Sequence, residues 1–332
     1  MKFNYSKICQ DYLKVLPQKI SDVIERRFGL KSGQRETLEA IGQSYGITRE
    51  RVRQIENEGL KKIAPKIREN KELFDYFKSV LNSFGNVKNE VELLDVLGEG
   101  KYQNQVYFLL TQGQGFEKIG EDDNFYTFWH NDKKSVEKAI KTVNSIIDKL
   151  DKEKKIFSLE DLSQAQKENK EVFASYIGIS KKIQKNYEGK YGLKNWLEVN
   201  PRGIKDKAYL VLKKKEEPLH FTAIASLIGT MPFSKLRKVH TATVHNELIK
   251  DPRFVLVGRG LYALKEWGYE PGVVKDIIVK SLKQAKRPLT KEEVLTEVLK
   301  QRFVKENTVV LNLQNKSYFV RDEKGRYNVR EA

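Results

Sequence analysis

Cysteine is almost missing from this sequence: 332 residues hold one, Cys9. A single thiol excludes an internal disulfide and a cysteine-based zinc site. Without a basic activator beside it, Cys9 reads as a small buried residue. Histidine is scarce as well. His130, His220, His240 and His245 are the full set, which leaves little for metal or acid–base chemistry. His240 and His245 stand five apart, not the four that brings two ligands to one helix face, so structural roles are expected. No apolar run approaches the roughly 20 residues of a bilayer span. The opening stretch MKFNYSKICQDYLKVL lacks the apolar core of a signal peptide. There is no Walker loop, GxSxG or HExxH pattern. The glycines Gly113 and Gly115 of TQGQGF precede a strand, not the helix that phosphate binding needs. These absences predict a protein with no catalytic residues, metal, cofactor, membrane span or small-molecule substrate, placed in the cytoplasm.

What is present is basic charge and aromatic residues. Lys and Arg number 62 against 45 Asp and Glu, a net charge of +17. Such an excess attracts polyanions, most often nucleic acid. The 16 Phe, 15 Tyr and 3 Trp argue against disorder. The charge is uneven. Residues 71–132 contain no arginine and carry a net charge of −6, while the segments on either side are basic. A shift of that size marks a change of module and suggests a different partner.

The sharpest local pattern spans residues 17–66. Pro17 opens QKISDVIERRF, whose Ile20, Val23, Ile24 and Phe28 follow helical spacing. Gly29 ends it. Thr37 can cap a second helix with Leu38, Ile41 and Tyr45 inward. Gly46 supplies a tight turn, and Thr48 caps a third helix with Glu50 and Arg51 in its first turn. Val52, Ile55, Leu60 and Ile63 would face the core. Arg49, Glu50, Arg53 and Gln54 fall on other faces. Two helices around a glycine turn, the second opening with polar residues, predict a helix-turn-helix. Arginine can fork onto guanine, glutamine can pair with adenine, and glutamate can accept from cytosine. The alternative is an amphipathic helix with a solvated charged face.

LPQKISDVIERRFGL followed by TLEAIGQSYGITRERVRQIENEGLKKI resembles region 4 of the sigma-70 family of bacterial RNA polymerase sigma factors. TRERVRQIE is the most specific part. The resemblance implies promoter −35 recognition and packing on the flap of the polymerase β subunit. It implies base reading by Arg49, Glu50, Arg53 and Gln54. Phosphate contacts are expected from Thr37, Thr48, Arg51 and Lys61, with polymerase the alternative contact for Arg51 and Lys61. The residues before position 17 leave no room for the region that melts the −10 element, so a complete sigma factor is not expected.

Downstream, a helical stretch repeatedly leads to a short β-rich pair around a Gly or Asp turn. Tyr126, Tyr191, Tyr262 and Tyr327 mark the endings, 65, 71 and 65 residues apart. That period suits one small domain per repeat, and helices followed by a hairpin suggest winged helices. PLHFTAIASLI and VHNELIKDPRFVLVGRGLYALKEWG resemble the HARE-HTH domain, a winged-helix module whose members bind DNA or proteins. The tips Arg259, Lys324 and Arg326 are candidate phosphate contacts or ordinary solvated turns. The tip GEDDN at 120–124 would be repelled by DNA, so its module is expected to face protein or act as a spacer. Trp129, Trp196 and Trp267 are expected to close the hairpins.

The sequence therefore predicts a mainly α chain with short β-hairpins, in several modules. These are a helix-turn-helix at 1–70, an acidic winged helix at 71–132, and a linker helix at 133–152. Further winged helices follow at 153–203, 204–268 (HARE-HTH) and 269–332. The expected function is a nucleoid-associated transcription factor that binds double-stranded DNA and RNA polymerase. The alternatives are a delta-subunit-like polymerase adaptor and the specificity subunit of a DNA-modification system.

Overall fold

Helix caps set the architecture of this computed structural model, which describes residues 3–232 and 239–330. Among them are sixteen α-helices and ten strands, none longer than five residues, so the chain is mainly α with short antiparallel pairs. No helix of the described residues is long and apolar enough to cross a membrane. The chain divides into two compact units, residues 1–195 and 196–332.

The first unit begins with α1 (Tyr5–Leu13), α2 (Gln18–Phe28), α3 (Leu38–Tyr45) and α4 (Arg49–Arg68). There follow α5 (Lys71–Ser83), β1 (Val87–Asn89), α6 (Glu90–Gly98), α7 (Gln103–Gln112), β2 (Glu117–Ile119) and β3 (Phe128–His130). The unit closes with α8 (Lys133–Glu153), α9 (Leu159–Gln166), α10 (Lys170–Gly178), β4 (Ile183–Lys185) and β5 (Tyr191–Leu193).

The second unit holds α11 (Gly203–Lys215), β6 (Leu219–His220), α12 (Phe221–Thr230), α13 (Thr241–Lys250), β7 (Phe254–Gly258) and β8 (Leu261–Leu264). Then come α14 (Val274–Ala285), α15 (Lys291–Gln301), α16 (Glu306–Leu313), β9 (Phe319–Arg321) and β10 (Tyr327–Val329).

From α5 onward one plan recurs: a helix, a short extended segment, two helices and a two-stranded ribbon. The sheet orders are β1-β3-β2 and β6-β8-β7 in the first and third repeats. In the second and fourth, one bridge replaces the first strand, Phe157 to Tyr191 and Leu289 to Tyr327. Each repeat caps its second helix from the same place. The caps are Asn89, Ser158, His220 and Thr290, whose side chains accept backbone N–H bonds. The residue before each cap pairs with Trp129, Tyr191, Tyr262 or Tyr327. Trp129 therefore takes the position expected of Tyr126. The long acidic turn between β2 and β3 displaces Tyr126, whose amide instead bonds Ile179 O at 2.9 Å.

The expected division at residue 70 falls inside one buried cluster running from Tyr5 to Trp129. The helix expected as a linker, α8, is the first helix of the second repeat. It buries Val136, Ala139, Val143, Ile146 and Leu150, because its apolar spacing forms a full stripe. In the second unit Phe303 N bonds Val257 O at 2.7 Å. Arg302, 3% exposed, donates to the carbonyls of Glu270 and Gly272. The first contact joins its two repeats, and the second holds the segment that leads into α14.

Candidate nucleic-acid interface

The α3–α4 pair is set by two threonines and two glycines. Thr37 Oγ1 accepts Ala40 N at 3.1 Å and Thr48 Oγ1 accepts Arg51 N at 3.2 Å. Each hydroxyl keeps its own O–H to donate elsewhere. Between the helices Gly46 has φ +63°, a left-handed turn that favours glycine. At Gly42 a Cβ would lie 2.7 Å from Ile47 O, so the turn folds back tightly. On α4, Val52, Ile55, Ile63 and Ile67 are buried. Leu60 is half-buried because Gly59 takes the inner contact: a Cβ there would lie 2.4 Å from Ile20 Cγ2 and 2.7 Å from Ile24 Cδ1. Helices α2 and α4 thus touch nearly backbone to side chain.

The opposite face opens outward. Arg49, Glu50, Arg51, Arg53 and Gln54 are all exposed, as are Thr37, Thr48 and Lys61. Two pairs form within the set. Arg53 Nε and Nη2 donate to Glu50 at 2.8 and 2.7 Å. Arg51 Nη1 donates to Gln54 Oε1 at 3.1 Å. The bonded Arg53 holds the Glu50 carboxyl below the usual carboxylate range. In the free chain these side chains are therefore arranged on one another. The helix presents a fork, an acceptor and an amide on its first turns, the groups that read base edges in a major groove.

Sequence reasoning missed the frame that aims this helix. Arg26 donates to both Glu36 oxygens at 2.9 and 2.6 Å, and to Ser44 Oγ at 2.8 Å. Tyr45 OH donates to Asp22 at 2.6 Å. Arg27 donates to Glu36 O at 3.1 Å and stands 3.5 Å from Glu56. Burial pushes the Glu56 carboxyl up, against the pull of Arg27. These residues tie α2 to both helices of the turn. Their only sequence signal is alternate charge on helix faces, which does not say which partner each charge meets.

The remaining candidates lie apart from this set. Arg259 and Lys324 are exposed at ribbon turns of the second unit. Arg326 turns back and donates to Asp322 at 2.9 Å, so its guanidinium braces its own turn. The acidic turn is braced too: Asp122 Oδ1 accepts Asn124 N and Phe125 N at 2.7 and 2.6 Å, and Lys181 pairs with Glu121 at 2.5 Å. Cys9 is buried and its thiol is pushed up to about 12 by burial. His220 caps α12, and its ring lies against Phe221 with centroids 4.5 Å apart. Trp129 is buried and donates to Glu90 at 2.8 Å, while Trp196 and Trp267 are half-buried.

Comparison with known proteins picks out the same segment. Residues 12–64 match the family described as Sigma-70, region 4. RNA polymerase sigma factor SigA of a Bacillus species is 44% identical over 54 residues, 16% of this chain and 14% of that protein. RNA polymerase sigma factor SigA of Listeria monocytogenes serovar 1/2a is 41% identical over 69 residues, 21% of this chain and 18% of that protein. The chain thus matches under a fifth of the length of these relatives.

Proposed function

We propose that this chain is a sequence-specific DNA-binding transcription factor that works with bacterial RNA polymerase. One observation carries the reading: Arg49, Glu50, Arg53 and Gln54 stand exposed on the first turns of a helix whose other face is locked in the core. They lie inside the segment that matches sigma region 4. Arg49 and Arg53 would read guanine, Gln54 adenine and Glu50 cytosine. Thr37, Thr48, Arg51 and Lys61 would hold phosphates and fix the register. The flap of the polymerase β subunit is the protein partner that the resemblance implies.

The four helix–ribbon repeats are winged helices in this reading, and residues 204–268 are a HARE-HTH domain. Arg259 and Lys324 add phosphate contacts at ribbon tips. Several weak modules on one chain gain affinity through effective concentration. The test is selection from a randomised duplex pool at near-physiological salt, with wild type and Arg49→Ala/Arg53→Ala. A motif enriched by the wild type and lost in the variant supports the reading. Enrichment by neither opposes it.

A second reading is a polymerase adaptor in which the repeats bind protein. The net charge of −6 over residues 71–132 favours it. Recovery of polymerase from DNase-treated lysate, together with weak binding to every duplex, would select it.

A further inference from the structure

Three backbone carbonyls in the loop that enters the helix-turn-helix point at one helix from outside the matched segment. The loop is residues 29–36, between α2 and α3. Asn104 Nδ2 donates to Gly29 O at 3.2 Å and Gly33 O at 2.8 Å. Gln105 Nε2 donates to Leu30 O at 3.0 Å. Asn104 Oδ1 accepts from Arg35 Nε at 2.8 Å, and the Arg35 guanidinium lies 3.8 Å from the Tyr107 ring centroid. All three side chains belong to α7, more than 65 residues further along the chain. The fit is close: at Gly29, φ +63°, a Cβ would stand 2.8 Å from Asn104 Nδ2. Below these bonds Phe108, fully buried, meets Phe28 edge-on at 5.1 Å.

We infer that α7 is a positioning element for DNA readout: Asn104 and Gln105 fix the loop from which α3 and α4 take their direction. This rests on the DNA-reading role proposed above. The physical reason is that a loop with free carbonyls has several conformations of similar energy, whereas one bonded at three carbonyls has few. Major-groove readout needs side chains placed within a fraction of an ångström, so a loosened base weakens specific binding before it weakens phosphate attraction. The acidic module then serves the basic one without touching DNA.

The test uses the full chain with Asn104→Ala and, separately, Gln105→Met, which keeps the volume and removes the donor. Neither changes the charge. Affinity is measured for the selected motif and for a scrambled duplex across a salt series, with melting temperature alongside. The expected result is about tenfold weaker binding to the motif, unchanged binding to scrambled duplex and an unchanged salt slope. Equal losses on both duplexes, or no loss on either, overturn the inference. If Asn104→Ala fails to fold, Gln105→Met decides. Absence of any motif with the wild type overturns the DNA reading, and this inference with it.

Discussion

The two units place the same helix of the same repeat in opposite surroundings. In the first unit the third helix of each repeat, α7 or α10, is nearly enclosed. Val106, Phe108, Leu109 and Leu110 on α7, and Phe173, Ser175, Tyr176 and Ile177 on α10, are buried. Ser175 and Tyr176 even bond carbonyls of the preceding repeat, Val87 O and Gly85 O. In the second unit α13 buries Val244 and Leu248, and α16 buries Val309 and Leu313. Thr241, Thr243, Asn246, Asn307, Thr308 and Leu311 stay exposed. The difference is written in spacing. An apolar pair four apart covers one neighbour, whereas a run such as FLL needs two. Repeats of one plan thus divide into scaffold and surface, and the plan alone does not say which.

The comparison breaks first at the covered helices. Phe108→Ala should cost about 3–5 kcal/mol in chemical denaturation; a cost near that of an exposed residue would mean α7 is not enclosed. Next is readout. Arg53→Ala should weaken the selected motif by about 1–3 kcal/mol and relax one base position, read by binding titration. Ribbon charges then separate the units. Arg259→Ala and Lys324→Ala should each lower the salt slope by about 1. Lys118→Ala should leave the slope unchanged, because Lys118 is 3.0 Å from Tyr107 OH and 3.7 Å from Glu90.

Acid sharpens the contrast between carboxylates. Glu293 is held at about 2, chiefly by Arg287, and Glu36 is lowered by Arg26. Their contribution is complete above the ordinary carboxylate range and is lost as pH falls through the lowered values. Glu56 is raised by burial, so its ionisation opposes folding at neutral pH and this opposition fades on acidification. Melting temperatures of Glu56→Gln and Glu293→Gln should therefore approach or exceed wild type at neutral pH for the first and fall below it for the second. The two differences should shrink at low pH. The smallest effect is Leu311→Ala, 62% exposed in wild type, which should stay within about 0.5 kcal/mol.

The helix-turn-helix could be read from sequence because its signals are local. Thr37, Gly46 and Thr48 act within a few residues of themselves, and the apolar positions of α2 and α4 repeat at helical spacing. The repeats were legible for the same reason, down to Tyr191, Tyr262 and Tyr327. What escaped was pairing across distance. Asn104 and Arg35 are 69 residues apart, and neither has a pattern that names the other. Tyr126 was misplaced because the acidic turn shifts the register locally. The packing of α8 was missed because a polar helix with one apolar stripe looks like a connector until its partner is known.

The pair formed by Glu50 and Arg53 bears on how such a protein would search. On duplex of the wrong sequence, the guanidinium keeps two good bonds to its own carboxylate and gains little by leaving it. In the DNA-reading role proposed above, it would trade them at the correct base pair for two bonds of similar geometry to guanine, which would also free Glu50 to accept from a neighbouring cytosine. Such an exchange would reward only the site that satisfies both partners. The chain would slide past most sequences and pause where both can be met.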